Sequence, residues 1–311
     1  MLGLSLGSGT LLGWALGAND AANVFGTAVA SKVITFRMAS ILCACAVIVG
    51  AYLQGTEGLH TYSALASQNS ATLIVATFSA AIAAVLMTIL RLPISTSQAI
   101  VGAITGIGLA TDSVNAAGLK KVLICWLCTP VGAMLISIAI FYCIRYLFRT
   151  IPMSMLTRDN LLYAGLVLFG VYGSYAIGAN NVANVTGIFS GQLEMYGIND
   201  GHLVLIGGSA IALGVFFSER VMTTVGSGVM KVDALAGLVA VASMSFTVHL
   251  FAIIGVPVST SQGIIGGLLG VGLIRGIHTI RFKGLKGICY GWFVTPCISL
   301  ILSAAGYAIF C

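Results

Sequence analysis

Apolar runs separated by short polar segments recur from one end of the chain to the other. Most are close to the roughly 17–25 residues that an α-helix needs to cross a bilayer. We therefore predict ten apolar helices, over residues 2–30, 38–56, 69–90, 93–110, 122–144, 160–190, 203–218, 234–255, 257–274 and 288–310. This pattern is typical of an all-α polytopic membrane protein.

Two of these runs, 2–30 and 160–190, are longer than a single crossing requires. Each contains an Asn-rich string, GANDAANV at residues 17–24 and GANNVANV at residues 178–185. Glycine and polar residues are unfavourable inside an apolar helix. We therefore expect both helices to be broken at these strings.

The composition agrees with a membrane location. Hydrophobic residues make up 59% of the 311 residues, charged residues only 7%, and the mean hydropathy is +1.07. Soluble domains carry about 25% charged residues, so this chain has too few charges to cover a water-facing surface. The net charge of +6 comes from basic residues scattered between the apolar runs, which indicates loop charges rather than a nucleic-acid partner. The start, MLGLSLGSGT, lacks the basic region of a signal peptide, so we expect the first run to be retained as a spanning helix.

The chain contains two copies of one unit. GANDAANVFG at 17–26 matches GANNVANVTG at 178–187 at seven of ten positions. LPISTSQAIVGAITGIGLA at 92–110 matches VPVSTSQGIIGGLLGVGLI at 256–274 at ten of nineteen positions. WLCTP at 126–130 also returns, as WFVTP, 166 residues later. Three matches in the same order indicate an internal duplication.

The duplication divides the chain into a first repeat over 1–150, a linker over 151–157 and a second repeat over 158–311. Five passes per repeat, an odd number, would insert the second repeat in the opposite orientation to the first. The Lys and Arg residues support this inverted topology, because twelve fall in one set of loops and two in the other. We therefore predict a plasma-membrane protein with outer N- and C-termini and a cytoplasmic linker. Periodicity leaves open whether 93–110 and 257–274 cross fully or re-enter as hairpins.

Asp20 is the one acidic residue that we place well inside an apolar run. A lone carboxylate at the bilayer centre costs about 2.5–3.5 kcal/mol on insertion scales, and no Lys or Arg lies within a predicted span. Secondary transporters with inverted repeats bind ions at interrupted helices near the midplane. We therefore expect a cation from solution to bind Asp20, together with oxygens of Asn19 and Asn23 and carbonyls freed near Gly17 and Gly26. The alternatives are a proton on Asp20 or a hydrogen bond that only packs helices together.

The duplicated strings PISTSQ and PVSTSQ place a proline before hydroxyl residues, which suits the start of a new helix. A helix start exposes free N–H groups and a partial positive charge, so it is a ready site for anions. We predict that two such starts converge on a tetrahedral oxyanion, with simple helix capping as the alternative. The donors added at the two starts are those of Ser95, Thr96, Ser97, Gln98, Ser259, Thr260, Ser261 and Gln262. Close helix packing is predicted for the glycines that follow, Gly102, Gly106, Gly108, Gly266, Gly270 and Gly272.

His249 lies within the run 234–255, where a packing role is favoured over a proton relay. The chain has no recognisable nucleophile–base pair, so we do not expect an enzyme, and it has no GxxxxGK[ST] motif for nucleotide binding. We therefore expect an ion gradient to supply the energy, with no cofactor besides Na⁺ as the coupling ion. An anion channel, in which flux would be passive, is the rival class.

The paired GAND/GANN strings and the paired P-[IV]-S-T-S-Q strings resemble those of the inorganic phosphate transporter (Pit) family, the type III sodium–phosphate cotransporters, over essentially the whole chain. The short basic linker is similar to that of compact prokaryotic members. The resemblance implies an inverted-repeat bundle with two helical hairpins, inorganic phosphate as substrate and Na⁺ as coupling ion. It implies phosphate binding by the two STSQ tips together with Asn23 and Asn184. It implies ion binding by Asn19, Asp20, Asn23, Asn180, Asn181 and Asn184.

The chain departs from many members of that family at Asn181, where they carry an aspartate, and this bears on the number of ions bound. We expect a sodium-coupled symporter that imports phosphate by alternating access. Proton-coupled phosphate permeases and sulfate permeases of the same family are the alternatives. The oligomeric state, including a homodimer, is left open by the sequence.

Overall fold

The computed structural model describes residues 2–89, 95–224 and 232–311, and these residues form helices without β-strands. Three short 3-10 turns lie at Gly187–Phe189, Glu194–Tyr196 and Ile277–Thr279. The α-helices of the described residues are α1 (Leu2–Ala30), α2 (Phe36–Gln54), α3 (Thr56–Ser63), α4 (Ser70–Ile89), α5 (Thr96–Ala110), α6 (Ala116–Thr150), α7 (Met155–Thr186), α8 (Asp200–Val215), α9 (Glu219–Thr224), α10 (Ala234–Ile253), α11 (Thr260–Arg275) and α12 (Phe282–Phe310).

Each of the ten predicted apolar runs corresponds to one of these helices, so the all-α membrane fold is confirmed. Six helices are long and apolar enough to cross a membrane: α2, α4, α6, α7, α10 and α12. The short helices α3 and α9 have no counterpart among the predicted runs, because they are brief and polar. They occupy matching places in the two repeats, after α2 and after α8 respectively.

Helix α6 runs from one face of the bundle to the other. It begins beside the segment 64–67, where the backbone N–H of Asn115 donates to the carbonyl of Leu65 at 2.8 Å. It ends at Thr150, 35 residues later, which at 1.5 Å per residue is about 50 Å. We call the side that carries the segment 64–67 the A face, and the side that carries the α6–α7 connection the B face.

Helices α4 and α5 form one hairpin and α10 and α11 form the other. The first starts and ends on the A face, where the Ser67 N–H donates to the Ser113 hydroxyl oxygen at 3.2 Å. The second starts and ends towards the B face, where the Arg275 guanidinium donates to the Asp233 carboxylate at 2.8 and 3.1 Å. The residues joining α4 to α5, Pro93 among them, lie outside the described residues.

The two hairpins meet inside the protein, because the Ser97 hydroxyl donates to the carbonyl of Val258 at 3.0 Å. Each hairpin therefore enters the bundle and returns to the face from which it started. The sequence left open whether 93–110 and 257–274 cross fully, and the corresponding helices α5 and α11 belong to re-entrant hairpins. Each repeat then has three full crossings and one hairpin rather than five passes. Since three is also odd, the inverted orientation of the second repeat is retained.

The repeats pack by exchange, because helices of one repeat pack on helices of the other. Helix α1 packs on α8 and α2 on α7, and α5 packs on α12 and α6 on α11. Glycines make these contacts close: a methyl group at Gly17 would overlap the Ile211 carbonyl, and one at Gly102 would overlap the backbone of Pro296. The repeat-equivalent glycines, Gly178 and Gly266, meet the backbones of Val47 and Pro130 in the same way. The predicted packing role of the glycines after the STSQ strings is confirmed at these positions.

The prediction that the long helices are broken at the Asn-rich strings is wrong. Helix α1 is continuous through residues 17–26, and α7 is continuous to Thr186, where a 3-10 turn follows. At the first glycine of each string, Gly17 and Gly178, the missing side chain makes room for a carbonyl group of a neighbouring helix. The helix backbone stays continuous at both positions. Asp20, Asn180, Asn181 and Asn184 bond through their side chains to other helices or to hairpin backbone, so these side chains do not compete with the helix that carries them.

The positive charge lies almost wholly on one face. The two basic residues near the A face are Lys120 and Lys121, at the start of α6. Residues Arg91 and Lys231 lie outside the described ranges. The other described basic residues occupy the B-face ends and connections of the helices: Lys32, Arg37, Arg145, Arg149, Arg158, Arg220, Arg275, Arg281, Lys283 and Lys286. The start of α1 lies beside Phe189 and the end of α12 beside Val75, so both ends of the described chain lie on the A face.

A matched pair of glycine substitutions tests the exchange packing. Gly266→Ala should lower the melting temperature of the purified protein by several degrees, because the new methyl group overlaps the Pro130 carbonyl and overpacking costs about 1–3 kcal/mol. Gly287→Ala is the control, since a methyl group there meets no atom within 4 Å. The two are compared by thermal unfolding in detergent. Equal melting temperatures for both variants would contradict the close contact between α11 and α6.

Candidate functional site

The two Asn-rich strings meet in the centre of the bundle. Helices α1 and α7 pack together, and the Asn181 amide donates to the Asp20 carboxylate at 3.0 Å. These two residues occupy the same position in the two repeats, 161 residues apart. The predicted cation residues of both halves are therefore brought to one place, although the helices that carry them are unbroken.

Asp20 is only 3% exposed. Its carboxylate accepts hydrogen bonds from the Thr260 hydroxyl at 2.7 Å, from the Asn181 amide at 3.0 Å and from the Asn19 amide at 3.0 Å. All three donors are neutral, and the ion pairs found among the described residues do not include Asp20. Asp20 is thus buried, as expected, and its partners within the described residues are uncharged. A buried carboxylate without a counter-ion is costly, so this position favours a cation from solution.

The serines that open α5 and α11 are helix caps. The Ser95 hydroxyl oxygen accepts from the Gln98 N–H at 3.4 Å, and the Ser259 oxygen accepts from the Gln262 N–H at 3.3 Å. The capping that we set against anion binding is therefore present at both positions. In capping, the oxygen of each hydroxyl accepts a hydrogen bond. The O–H group can still donate one, and an oxyanion requires such a donor.

Several buried side-chain atoms of the Asn-rich strings and of the hairpin tips lack a hydrogen-bond partner within the described part of the chain. Three are acceptor oxygens: Oδ1 of Asn181, Oε1 of Gln98 and Oε1 of Gln262. One is a donor, Nδ2 of Asn23. Buried polar groups without partners are uncommon and call for an explanation. Free oxygens next to a carboxylate suit a hard cation, whereas the Asn23 amide suits an anion.

This arrangement changes the role expected for the glutamines. Their amides were predicted to donate to an oxyanion, whereas the atoms left free are their oxygens. Thr260 was likewise predicted to contact phosphate, and its hydroxyl donates to Asp20 instead. Both features place the N-terminal turn of α11 closer to the predicted cation position than the sequence indicated. Thr96, the equivalent of Thr260, is also buried, at 4% exposure.

Asn180 supports a hairpin and is not free to bind an ion in this structure. Its Oδ1 accepts from the Val258 N–H at 3.0 Å, and its amide donates to the carbonyls of Val256 and Val248 at 3.4 and 3.5 Å. These groups belong to α10 and to the turn of the second hairpin. The sequence predicted an ion ligand here, and the contacts show a residue that fixes the hairpin backbone.

Tyr62 is a residue of the site that sequence reasoning missed. It lies on α3, is fully buried, and donates its hydroxyl to Oδ1 of Asn184 at 2.6 Å. The Asn184 amide in turn donates to the Ser97 hydroxyl at 3.1 Å. No repeated motif or apolar run marks Tyr62, because α3 lies in a polar segment that reads as a loop.

His249 is held by packing contacts, as predicted. Its Nδ1 bonds the Tyr172 hydroxyl at 2.7 Å, and its Nε2 bonds Oε1 of Gln54 at 2.6 Å. Its ring also makes edge contacts with Tyr172 and Tyr175. Both ring nitrogens are occupied away from Asp20, so His249 is not a member of the candidate site.

The two halves of the site differ in exposure. In the second repeat's string, every residue from Gly178 to Thr186 is buried. In the first repeat's string, Asn19 and Asn23 are partly exposed, and so is Ser261 on the second hairpin. The site is therefore sealed beside α7 and more accessible beside the B-face half of α1.

A pair of repeat-equivalent substitutions tests the bracing role of Asn180. Asn180→Ala should leave the Val258 N–H buried without a partner, a loss of about 1–3 kcal/mol. The segment 254–260 should then exchange its amide hydrogens at least several-fold faster, as measured by hydrogen–deuterium exchange. Asn19→Ala is the control, since the described bond of that amide is to Asp20. Unchanged exchange in the hairpin turn after Asn180→Ala would contradict this role.

Comparisons with known proteins agree with this arrangement. The family model described as "Phosphate transporter family" matches the chain twice, over residues 16–163 and 154–303. A Methanocaldococcus jannaschii protein named "Putative phosphate permease" is 32% identical over 92% of this chain and 90% of its own length. The Bacillus subtilis "Sulfate permease CysP" is 28% identical over 93% of this chain and 82% of its own length.

A solved structure titled "The sodium-dependent phosphate transporter" has the same fold, with a TM-score of 0.88 and 23% identity over 98% of both chains. The two family matches fall one on each half of the chain, and together they cover nearly the whole chain. The chain belongs to the phosphate transporter family.

Proposed function

We propose that this protein is a secondary symporter that imports inorganic phosphate across the plasma membrane, coupled to a sodium gradient, by alternating access. The observation that carries the proposal is Asp20, a buried carboxylate bonded to three neutral donors beside an unpartnered oxygen of Asn181. Membership of a transporter family accounts for movement across the membrane. The chemistry of the site supports the finer assignments.

Sodium is the ion that the donor set favours. The carboxylate of Asp20, the amide oxygen of Asn181 and the oxygens of the two tip glutamines are all hard oxygen ligands, which suit small hard cations. The described residues contain no cluster of three or more His, Cys, Asp or Glu side chains that would suit a transition metal. The structural relative is titled as sodium-dependent, which supports the same ion.

Phosphate is the substrate that the other half of the site favours. The starts of α5 and α11 meet near Ser97 and Val258 and direct N–H groups and hydroxyls inward. The free amide of Asn23 adds a donor, and Ser95, Thr96, Ser259 and Ser261 supply further hydroxyls. Among the described residues no Lys or Arg forms an ion pair in the site, so we expect the anion to depend on the co-bound cation for charge compensation. This dependence is the physical basis of coupling.

Alternating access follows from the construction of the fold. Two hairpins enter from opposite faces and meet at the site, so movement of one repeat against the other exposes the site to each face in turn. An ion gradient supplies the energy, since the chain carries no nucleotide-binding motif. The basic B face is the cytoplasmic one by the positive-inside rule, which puts both termini outside and the central linker inside.

Sulfate is the second candidate substrate. It is also a tetrahedral oxyanion, and the Bacillus subtilis relative is named as a sulfate permease. The donors at the hairpin tips do not depend on the central atom of the anion. Proton coupling through Asp20 is the corresponding alternative for the ion.

The test is uptake of radiolabelled phosphate by proteoliposomes with a sodium gradient or with choline in place of Na⁺. Phosphate should accumulate only with the gradient, and excess sulfate should compete weakly. Strong competition by sulfate would assign sulfate instead. Equal uptake in choline with a proton gradient would assign proton coupling, and passive flux without accumulation would indicate a channel.

Asp20→Asn should abolish the stimulation of uptake by Na⁺ while the protein still inserts and folds, because the amide keeps the size of the side chain and removes the charge. Uptake should fall to the level that the wild-type protein shows in choline. Asp159→Asn is the matched control, since Asp159 is an exposed residue near the start of α7. Sodium dependence that survives Asp20→Asn would remove Asp20 from the ion site.

A further inference from the structure

Helix α3 connects three parts of the A-face half through three consecutive residues. His60 lies 3.6 Å from the carboxylate of Asp200, at the start of α8. The hydroxyl of Thr61 donates to the carbonyl of Gly255, in the turn of the second hairpin. The hydroxyl of Tyr62 reaches the site itself. A helix of eight residues thus contacts the α7–α8 connection, a hairpin turn and the candidate binding site.

The contact through Tyr62 is the most buried of the three. Tyr62 and Asn184 are both 0% exposed, and the hydroxyl donates to Oδ1 of the amide at 2.6 Å. This bond fixes the direction of the amide, whose Nδ2 then points at the Ser97 hydroxyl, 3.1 Å away. Tyr62 therefore positions two residues of the proposed phosphate site without occupying the site.

Helix α3 also covers the end of α7. Gly58 lies against the Cβ of Ala183, and Gly187 lies against the Tyr62 ring. These contacts help to bury the end of the second string, near Ala183 and Gly187. A phosphate ion cannot reach Asn184 from the A face while α3 stays in this place.

The described residues of the other half show no equivalent of this contact. The repeat-equivalent of Asn184 is Asn23, which is partly exposed and whose amide has no partner among the described residues. The segment 219–232, which follows α8 as α3 follows α2, contains no tyrosine. Within the described ranges, the tyrosine hydroxyl contact is therefore made on the A-face side alone.

We propose that Tyr62 is a positioning residue of the phosphate site and that α3, which carries it, is the gate on the A face. When the A-face path opens, the bonds from Tyr62 to Asn184 and from Thr61 to Gly255 break together, because adjacent residues of one short helix make them. Closure of α3 restores the direction of the Asn184 amide and fixes the second hairpin turn. This inference rests on the proposed function for its substrate, and its geometry is independent of it.

The first test separates positioning from structure by transport kinetics. Tyr62→Phe keeps the ring and removes the hydroxyl, which leaves Oδ1 of Asn184 buried without its donor. The KM for phosphate uptake should rise roughly tenfold, the scale of one lost buried hydrogen bond, with the maximal rate within about twofold of wild type. Tyr172→Phe is the matched control, since it removes a hydroxyl of similar hydrogen-bond length that contacts His249 outside the site. Its KM should be unchanged.

The second test reports on the gate without requiring transport. In a background with the eight native cysteines replaced by alanine, Ala183→Cys places a thiol behind α3 and Ala22→Cys places one at the equivalent position of α1. A hydrophilic thiol reagent is applied in detergent, where it reaches both faces. Adding Tyr62→Phe should speed labelling at position 183 several-fold and should not speed labelling at position 22.

The outcomes distinguish the two proposals. If wild-type protein takes up no phosphate under any gradient, the proposed function is wrong, and the labelling rates still decide the role of α3. If Tyr62→Phe leaves the KM unchanged in an active protein, the positioning role is wrong. If labelling at position 183 does not change with Tyr62→Phe, or rises equally at position 22, α3 is not an A-face gate.

Discussion

A buried carboxylate whose described partners are all uncharged lies where both repeats and one hairpin tip meet. Asp20 accepts from Asn181 of the other repeat and from Thr260 of the second hairpin, so its negative charge joins three separately placed elements. Burial makes that charge costly unless it is compensated, and the Asn181 amide that donates to Asp20 has an oxygen without a partner among the described residues. The rest of the structure follows from this constraint. We propose that the carboxylate takes up a cation, and that the site can then accept an anion at the adjoining helix starts.

Much of the fold is predicted by sequence patterns that occur in both repeats. The duplicated strings identify the repeats, their odd number of crossings implies inversion, and the STSQ strings mark helix starts that the structure brings into contact at Ser97 and Val258. These predictions succeed because apolar length, proline and helix-start hydroxyls act locally. The repeated glycines also predict close approach, which occurs at Gly102 and Gly266.

The features that the sequence does not disclose depend on partners far away along the chain. Glycine and asparagine in an apolar run predict a break, yet α1 and α7 are continuous because Gly17 and Gly178 admit carbonyls of α8 and α2. The family resemblance implies an ion ligand at Asn180. Whether its oxygen faces an ion or the Val258 N–H depends on the position of the hairpin turn. Tyr62 carries no local signal, since its role depends on Asn184, 122 residues away.

The two halves of the site differ in exposure, so the two faces of the protein are not equivalent. Equivalent strings are buried beside α3 and partly exposed beside α9, although the two repeats share helix order and packing. A transporter built from inverted repeats alternates between two such arrangements, and here the arrangement is closed on the A face. The residues that cover Asn184 on the A face lie outside the duplicated motifs. We therefore propose that the duplicated strings form the site and that the segments between them control access to it.

The most direct measurement of the central claim is equilibrium binding of radioactive Na⁺ to the purified protein, with and without phosphate. Because coupling between two ligands is reciprocal, phosphate should raise the affinity for Na⁺ by the same factor by which Na⁺ raises the affinity for phosphate. Asp20→Asn should remove Na⁺ binding in both conditions. Sodium affinity that is unaffected by phosphate, or that persists without the Asp20 carboxylate, would contradict the account.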